Sequence, residues 1–353
     1  MEYSSAHLWT TRTYDAADPA RPPGAPVAES RAKVAAAFAA IYIIWGSTFL
    51  GIRYAIETMP PFLMAGTRFV IAGAILYAWA AIREGARPTR RQWVNTAIVG
   101  ALLLTVGNGA VVWAERFVPS GLVALVVAIT PLWMVIFEWL RPRGDRPNKQ
   151  ILGGLALGFV GLVLLIGPGD IMGGTAVDPR SAAVLLAGTL AWAGGSIYSR
   201  SVPLPSSARL STAMQMLAAG VLLLIVGAIG GESTQVSLEA MSLKSVLAVV
   251  YLIIFGSIIG FTAYSWLLSV SSAARVSTYA YVNPVVALLL GWGLAGEPLG
   301  PRTVLAAGVV LGGVALITVA GAGHAKQIGP REMQPKPQAG SEPSHTVSRT
   351  AAR

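Results

Sequence analysis

The sequence predicts an all-α membrane protein with ten transmembrane helices, arranged as two inverted five-helix repeats. The chain of 353 residues is 54% hydrophobic and only 12% charged, whereas a soluble domain has about 25% charged residues. Its apolar residues fall in stretches of about 20, the length that crosses a ~30 Å hydrocarbon core. Residue patterns of the first half also recur in the second half at nearly constant offsets.

The hydrophobic stretches predict five helices in a first repeat at 34–167 and five in a second repeat at 181–321. The segments 1–33 and 322–353 are polar and contain several prolines, a composition typical of disordered tails. The first segment lacks the apolar core of a signal peptide. In chain order the ten predicted spans are 34–54, 62–82, 94–114, 120–139, 151–167, 181–199, 209–229, 245–267, 274–295 and 303–321.

The distribution of basic residues predicts the orientation of these helices. Of the 26 lysines and arginines, twenty fall in the tails and in alternate connections. The opposite set of connections contains four, Arg116, Arg180, Lys244 and Arg302. Because basic loops stay on the cytoplasmic side during insertion, we expect both termini to be cytoplasmic. The net charge of +10 is therefore a topological signal, the lipid bilayer is the expected partner, and no nucleic acid is expected to bind.

The two halves match at three offsets that change only in loops. The offset is 147 early in the repeat, 153 in its middle and 151 at its end, where "GLVLLI" (161–166) meets "GGVALI" (312–317). Matching pairs are Trp45 with Trp192, Arg53 with Arg200, Trp113 with Trp266, and Pro131 with Pro284. Since five is an odd number of spans, the second copy must cross the bilayer in the opposite orientation to the first.

Four segments resemble the EamA-domain drug/metabolite transporter superfamily, especially its YedA-like branch. They are "IYIIWGSTFLGIRYAI…PPFLMAGTRF", "GNGAVVWAE…VPSGLVALVVAITPL", "FGSIIGFTAYSWLL" and "YAYVNPVVALLLGWGLAGEPL". The resemblance implies a ten-helix bundle of two EamA repeats in the inner membrane that exports small metabolites or amphipathic compounds. "GEPL" at 296–299 fits the usual pattern, but the acidic residue of a first-half "GE" loop has no clear match, and Glu138 lies within span 4 instead.

Several kinds of chemistry are missing from the spans. The three histidines, His7, His324 and His345, all lie in the tails, and the chain has no cysteine. No span contains a lysine, and no Gly-Lys dipeptide of a phosphate-binding loop occurs. We therefore predict that the protein is not an enzyme, has no cofactor or metal site, and does not use ATP.

Matched prolines mark the middle of spans 4 and 9. Pro131 and Pro284 remove a backbone donor and predict helix kinks. Thr130 lies beside the first proline, and Tyr281 and Asn283 beside the second. These side chains could bind substrate with the freed carbonyls; alternatively, the kinks are static and neighbouring helices satisfy them.

Three further polar residues lie within or near the spans. Asn108 is costly in hydrocarbon unless it bonds across helices or faces a water-filled cavity, and both alternatives remain open. Arg53 and Arg68 are interpreted as structural charges. We expect Arg68, whose counterpart is Gln215, to be anchored to carbonyls or to Glu57, with recognition of an anionic substrate as the alternative.

An unusually large set of aromatic and hydroxyl side chains predicts a cavity wall for aromatic, apolar or cationic solutes, with core packing and aromatic belts at the membrane interface as the alternative. Its members are Trp45, Ser47, Thr48, Trp113, Trp133, Trp192 and Tyr264. Two Gly-x-x-x-Gly stripes, at 154–158 and 308–312 in the fifth and tenth spans, let helices approach closely. They usually serve packing within a chain, and they could also form a homodimer.

Together these features predict a secondary transporter that exports small metabolites, amino acids or amphipathic drugs across the inner membrane by alternating access. Import of the same small-molecule solutes is one alternative. The other is a membrane sensor or scaffold that moves nothing. A solute cavity between the halves distinguishes a transporter from a solidly packed scaffold.

Overall fold

The computed structural model describes residues 31–85, 87–140, 149–165, 177–237, 239–271, 276 and 279–327. All the main elements in this part of the chain are helices. They are α1 (Arg31–Ala55), α2 (Pro61–Glu84), α3 (Arg90–Ala114), α4a (Ser120–Val127), α4b (Thr130–Leu140), α5 (Lys149–Leu165), α6 (Pro179–Ser199), α7 (Ala208–Ile229), α8 (Leu243–Val270), α9 (Tyr279–Ala295) and α10 (Pro301–Gln327). A 3-10 turn, Glu232–Gln235, follows α7.

The all-helical membrane class is confirmed, while the full set of ten spans remains a prediction. Within the described residues, seven helical segments are long and apolar enough to cross a membrane: Arg31–Ala55, Pro61–Glu84, Arg90–Ala114, Ser120–Phe137, Pro179–Ser199, Ala208–Ile229 and Leu243–Val270. Shorter apolar helices occur at Lys149–Gly161, Val282–Ala295 and Pro301–Gly313. Helix α1 begins three residues before its predicted span, and α10 continues to Gln327, inside the predicted tail. Most of both predicted tails lies outside the described residues.

Large apolar side chains cover the outer faces of the helices. Such side chains would be unfavourable in water, and their number fits a surface that contacts lipid. The most exposed of those described are Ile82, Leu140, Ile229, Leu243 and Val319.

Two helices change to π-helical geometry in their middle. Residues Ala101–Asn108 of α3 and Leu252–Phe261 of α8 form these π segments. Both contain glycine, and the offset of 153 maps the first segment onto 254–261 of the second. A π segment inserts one residue into a turn and occurs frequently at functional sites.

The helices pair in a regular manner. Helix α2 packs along α7, α5 along α10, and α4a along α9, while α1 contacts α8 and α9, and α6 contacts α3 and α4b. Glycines permit the closest approaches: a Cβ on Gly220 of α7 would lie 2.8 Å from the backbone nitrogen of Val70 in α2. The α5 stripe serves this packing, since a Cβ on Gly313 would meet the backbone of Gly154 and Gly158. Gly308 faces open space, and the predicted homodimer stays a prediction.

Proline breaks span 4 rather than only bending it. Helix α4a ends at Val127 and α4b begins at Thr130, just before Pro131. The Thr130 hydroxyl donates to the Val127 carbonyl at 2.6 Å, which satisfies the acceptor that the proline nitrogen cannot reach. Pro284, in contrast, lies inside α9, which continues through it.

Carboxylates fix several helix starts. Glu297 accepts hydrogen bonds from the Ser120 and Gly121 nitrogens at the start of α4a (2.8 and 3.1 Å). Glu232 accepts likewise from the first turn of α2. Negative charge at a helix N-terminus is favourable because the backbone amides there have no helical partner. Asp178, in the connection before α6, caps that helix, and hydrogen bonds from the Ser181 side chain and backbone lower the pKa of Asp178.

Candidate functional site

A cavity lies at the centre of the bundle, and we call it the central cavity. Its walls come from α1, α2, α3, α4a, α4b, α6, α8 and α9. The part that a water-sized sphere can enter has a volume of about 70 Å³, well below the ~300–1,000 Å³ of pockets that hold drug-sized ligands. The lining residues are Trp45, Thr48, Phe49, Ile52, Arg68, Gly107, Asn108, Val111, Val127, Thr130, Leu185, Gly188, Thr189, Trp192, Phe261, Tyr279 and Asn283.

Five rings pack together at the central cavity, and we call them the aromatic cluster: Trp45, Trp192, Phe261, Tyr264 and Tyr279. The Trp45 ring centroid lies 4.9–5.8 Å from the centroids of the other four rings. Trp45 and Trp192 meet edge to face, the arrangement that the quadrupoles of aromatic rings favour. The Tyr264 hydroxyl holds the cluster together because it accepts from Trp192 Nε1 (3.3 Å) and bonds Ser196 Oγ (3.0 Å).

The two tryptophans rest on glycines of the π segments. A Cβ on Gly260 of α8 would overlap Trp45 Nε1, and one on Gly107 of α3 would lie 3.0 Å from Trp192 Cε3. Trp45 Nε1 also donates to the Gly256 carbonyl at 3.2 Å. Each tryptophan therefore packs against a glycine on a helix of the other half, and the contact is tightest at Gly260.

A second cavity of about 370 Å³, which we call the vestibule, lies beyond the aromatic cluster. On α3 the central cavity is lined by residues 107–111, whereas the vestibule is lined by Val99 and Leu103. On α6 the same order holds, with 185–192 at the cavity and Ser199 and Arg200 at the vestibule. Tyr264 lines the vestibule and contacts both tryptophans. The aromatic cluster thus separates two spaces along the same helices.

Arg68 is buried in α2 and reaches the central cavity. Its Nε donates to Ser257 Oγ at 2.8 Å, and Nη1 has no hydrogen-bond partner. The expected link to Glu57 is wrong: Glu57 instead forms an ion pair with Lys244 at 2.6 Å. Lys244 lies at the start of α8 and is the partner of Glu57 in place of Arg68.

Arg53 makes a hydrogen bond between two helices. Its Nη1 donates to the backbone carbonyl of Glu115 at 2.5 Å and so links the end of α1 to the end of α3. The Glu115 side chain is fully buried, and neither of its carboxyl oxygens has a hydrogen-bond partner.

Two amides line the central cavity. The Asn108 Oδ1 atom is buried there without a partner, which favours a cavity position over a bond between helices. The side-chain oxygen and nitrogen of Asn283 are assigned from their hydrogen-bond partners. In that assignment the nitrogen donates to the backbone carbonyls of Ile41, Tyr42 and Tyr279 at 3.1–3.2 Å. Asn283 thereby links α9 to α1 beside Pro284.

The structure brings most of the predicted binding residues together. Trp45, Thr48, Asn108, Thr130, Trp192 and Asn283 line the central cavity, with Tyr264 directly beneath. Trp133 is not part of the cavity lining, but its Nε1 donates to Oγ1 of Thr189, which is, at 2.9 Å. Whether these residues bind a solute stays a prediction.

Three predicted binding residues are not placed at the central cavity. Ser47 bonds the Tyr251 hydroxyl at 2.5 Å and the Ile44 carbonyl, so it links α1 to α8 instead. Trp113 lies at the end of α3, where it packs against Phe117 and the Arg180 guanidinium. The side chain of Tyr281 lies outside the described residues.

Sequence reasoning missed several residues of the site. Phe261 is the repeat counterpart of Asn108, but its place in the aromatic cluster was not predicted because an apolar ring in an apolar span gives no sign of a site. Thr189 and Ser257 gave no signal, since a single hydroxyl in an apolar span is common. Among the described residues no three His, Asp or Glu side chains cluster to hold a metal ion.

Comparison with known proteins identifies the family. The model of the EamA-like transporter family matches residues 33–167 and again 180–319. The "Uncharacterized inner membrane transporter YedA" of Escherichia coli K12 is 44% identical over 282 residues, which are 79% of this chain and 89% of that protein. A "Probable amino-acid metabolite efflux pump" of Salmonella typhimurium is 26% identical over 285 residues, 77% of this chain and 91% of that protein.

A solved crystal structure supports the fold. It superposes with a TM-score of 0.58 at 23% identity and covers 82% of this chain and 98% of its own. Together with the long apolar helices, these matches make the chain a multi-pass protein of the inner membrane. The chain therefore belongs to the EamA-like transporter family, in its YedA-like branch, and is a membrane transporter.

Proposed function

We propose that the protein is a secondary transporter that exports small metabolites, amino acids or amphipathic drugs by alternating access. In this proposal ten helices form two inverted repeats, 34–167 and 181–321, with both termini in the cytoplasm. The vestibule, close to Arg200 and the start of α7, then faces the cytoplasm, and the central cavity lies toward the opposite side.

One observation carries the proposal: two solvent-sized spaces lie along the same helices with a compact closure between them. Rings of the aromatic cluster line the central cavity, and Tyr264 of the same cluster lines the vestibule. A scaffold has no need for either space. A transporter needs both, because a solute must reach the same site from two sides in turn.

Pairings between the halves support the inverted repeats. The family model matches the chain twice. Helices α2 and α7, and likewise α5 and α10, occupy equivalent positions in the two halves and pack against each other. Trp45 with Gly260, and Trp192 with Gly107, are the same contact made by exchanged halves, since the offsets of 147 and 153 interconvert them.

These paired contacts suggest how access could alternate. In the present conformation the Trp45 ring lies against Gly260, and in this proposal the ring closes the path to the vestibule. The π segments, whose backbone bonds differ from those of a regular helix, offer places where α3 and α8 can change shape at low cost. Separation of each tryptophan from its glycine would open the vestibule side, while the opposite ends of the helices approach each other.

The absence of native cysteine makes a direct test simple. Single cysteines at Val111 in the central cavity and at Ser206 in the vestibule are labelled from each side of vesicles with a membrane-impermeant maleimide. A cysteine at Ile82, on the lipid-exposed surface, is the control. We expect solute to change the labelling of Val111 and Ser206 in opposite directions and to leave Ile82 unchanged. Labelling that never responds to any transported solute would rule out alternating access.

Counterflow in proteoliposomes separates transport from the sensor or scaffold alternative. In a panel of amino acids and cationic drugs, vesicles loaded with a compound that the protein transports should accumulate the labelled form of the same compound. If no member of a broad panel moves, the protein is a sensor or scaffold. Net flux in the two directions under the same gradient distinguishes export from import, which this fold permits equally.

A further inference from the structure

Arg68 is held in a fixed position at the central cavity. Its Nε donates to Ser257 Oγ, and its guanidinium carbon lies 4.7 Å from the centroid of the Phe69 ring. A glycine at position 256 leaves room for the group, since an added Cβ there would lie 3.2 Å from Nη2. Neighbours on α2 and α8 thus fix the orientation of the guanidinium.

The positive charge of Arg68 has no ion-pair partner among the described residues. Glu57 pairs with Lys244, while Glu297 and Glu232 accept from helix N-termini. Glu115 lies close enough to interact electrostatically with Arg68, but neither of its oxygens makes a hydrogen bond. A buried arginine without an ion-pair partner is unfavourable, and its unbonded Nη1 belongs to a side chain that lines the cavity.

A second polar atom in the same cavity is also unsatisfied. Asn108 Oδ1 is buried there without a partner. The remaining wall is largely apolar and aromatic, with Phe49, Trp45 and Trp192 among its members. The cavity therefore presents a fixed cationic donor, an amide and an apolar surface.

We propose that Arg68 recognises the carboxylate of the transported solute. The solute class is then a small carboxylate with an apolar body, for which the Asn108 amide is a second polar contact. Arginine suits this task because its planar fork bonds a carboxylate through two parallel hydrogen bonds. A cationic amphiphile would meet the Arg68 charge and is disfavoured. That the bound carboxylate is also transported rests on the proposed function, whereas its binding to Arg68 can be tested alone.

Three probes with a common phenyl group test the inference: phenylbutyrate (anion), phenylalanine (zwitterion) and phenylethylamine (cation). Binding to the purified protein in detergent is measured from the ligand-induced rise in unfolding temperature. We expect stabilisation by the two carboxylates and none by the amine. In Arg68→Met the apparent affinity for both carboxylates should fall at least tenfold, and Arg68→Lys should retain part of it. Arg83→Met, which removes an exposed arginine from the same helix, is the matched control.

The stability of the ligand-free variant distinguishes recognition from a structural role. Because Arg68 is buried without an ion-pair partner, Arg68→Met should unfold at the same or a higher temperature than the wild type. Equal binding of acid and amine, failure of both acids to bind, or a lower unfolding temperature of ligand-free Arg68→Met would overturn the inference. Failure of the proposed function gives a different result. In that case the acids bind through Arg68, but neither they nor any other solute crosses the membrane in counterflow.

Discussion

An alanine at position 260 tests whether closure of the aromatic cluster depends on a glycine beneath Trp45. A Cβ there would overlap Trp45 Nε1 and lie 2.8 Å from Cδ1 of the same ring. The indole would have to move, and its hydrogen bond to the Gly256 carbonyl would be lost. Gly293→Ala in α9 is the matched control, because nothing lies within 4 Å of a Cβ at that position.

The expected loss of stability follows from three contributions. Overpacking of a filled interior costs about 1–3 kcal/mol, and loss of one buried hydrogen bond costs about 1 kcal/mol. Replacing glycine by alanine within a helix returns about 0.5–1 kcal/mol. We therefore expect Gly260→Ala to be destabilised by about 2 kcal/mol, whereas Gly293→Ala should be unchanged or slightly stabilised.

Unfolding of both variants in detergent measures their free energy of unfolding, and counterflow in proteoliposomes measures their transport rate. Gly107→Ala should lie between them, because its Cβ would stop 3.0 Å from Trp192, a distance that a small shift relieves. Gly260→Ala should also label more readily at a cysteine placed in the vestibule, since the cluster no longer closes. If Gly260→Ala proves as stable and as tightly closed as Gly293→Ala, the packing argument is refuted.

Three further predictions concern single polar groups. Tyr264→Phe removes the hydroxyl that bonds Trp192 and Ser196, and labelling of a vestibule cysteine should rise with little change in protein abundance. Glu297→Gln replaces the carboxylate that accepts two amides of α4a, and the unfolding free energy should fall by about 1 kcal/mol. Asp178 has a lowered pKa, so its stabilising effect is complete above the unfolded value of about 3.9 and is lost as pH falls through the folded pKa. The difference in unfolding temperature between wild type and Asp178→Ala should therefore be present at pH 7 and disappear in acid.

The sequence was sufficient for those parts of the site that follow from position along a helix. Trp45 and Trp192 could be predicted as a pair because the offset of 147 relates them and both are large rings in apolar spans. Asn108 could be singled out because an amide in hydrocarbon needs a partner or water. These arguments use only period, polarity and duplication, all of which a single sequence contains.

Contacts between helices could not be predicted in the same way. The π segments in α3 and α8 leave no signal in hydrophobic periodicity, although they determine where Gly107 and Gly260 face. Arg68 was expected to contact Glu57, only eleven positions away, but its partner Ser257 lies 189 positions distant. Ser47 and Trp113 have suitable chemistry for the cavity, but the rotation of their helices directs them elsewhere.

The pairing of α2 with α7 has a consequence for biosynthesis. Helix α7 begins 147 residues after α2 begins, and at about 5–20 residues per second the ribosome needs roughly 7–30 s to deliver it. Throughout that interval the small-residue face of α2 is in contact with lipid or the insertion machinery. Completion of the second half of the chain is therefore the step at which the first half acquires its permanent neighbours, and a truncated transcript would leave a membrane protein without its main interface.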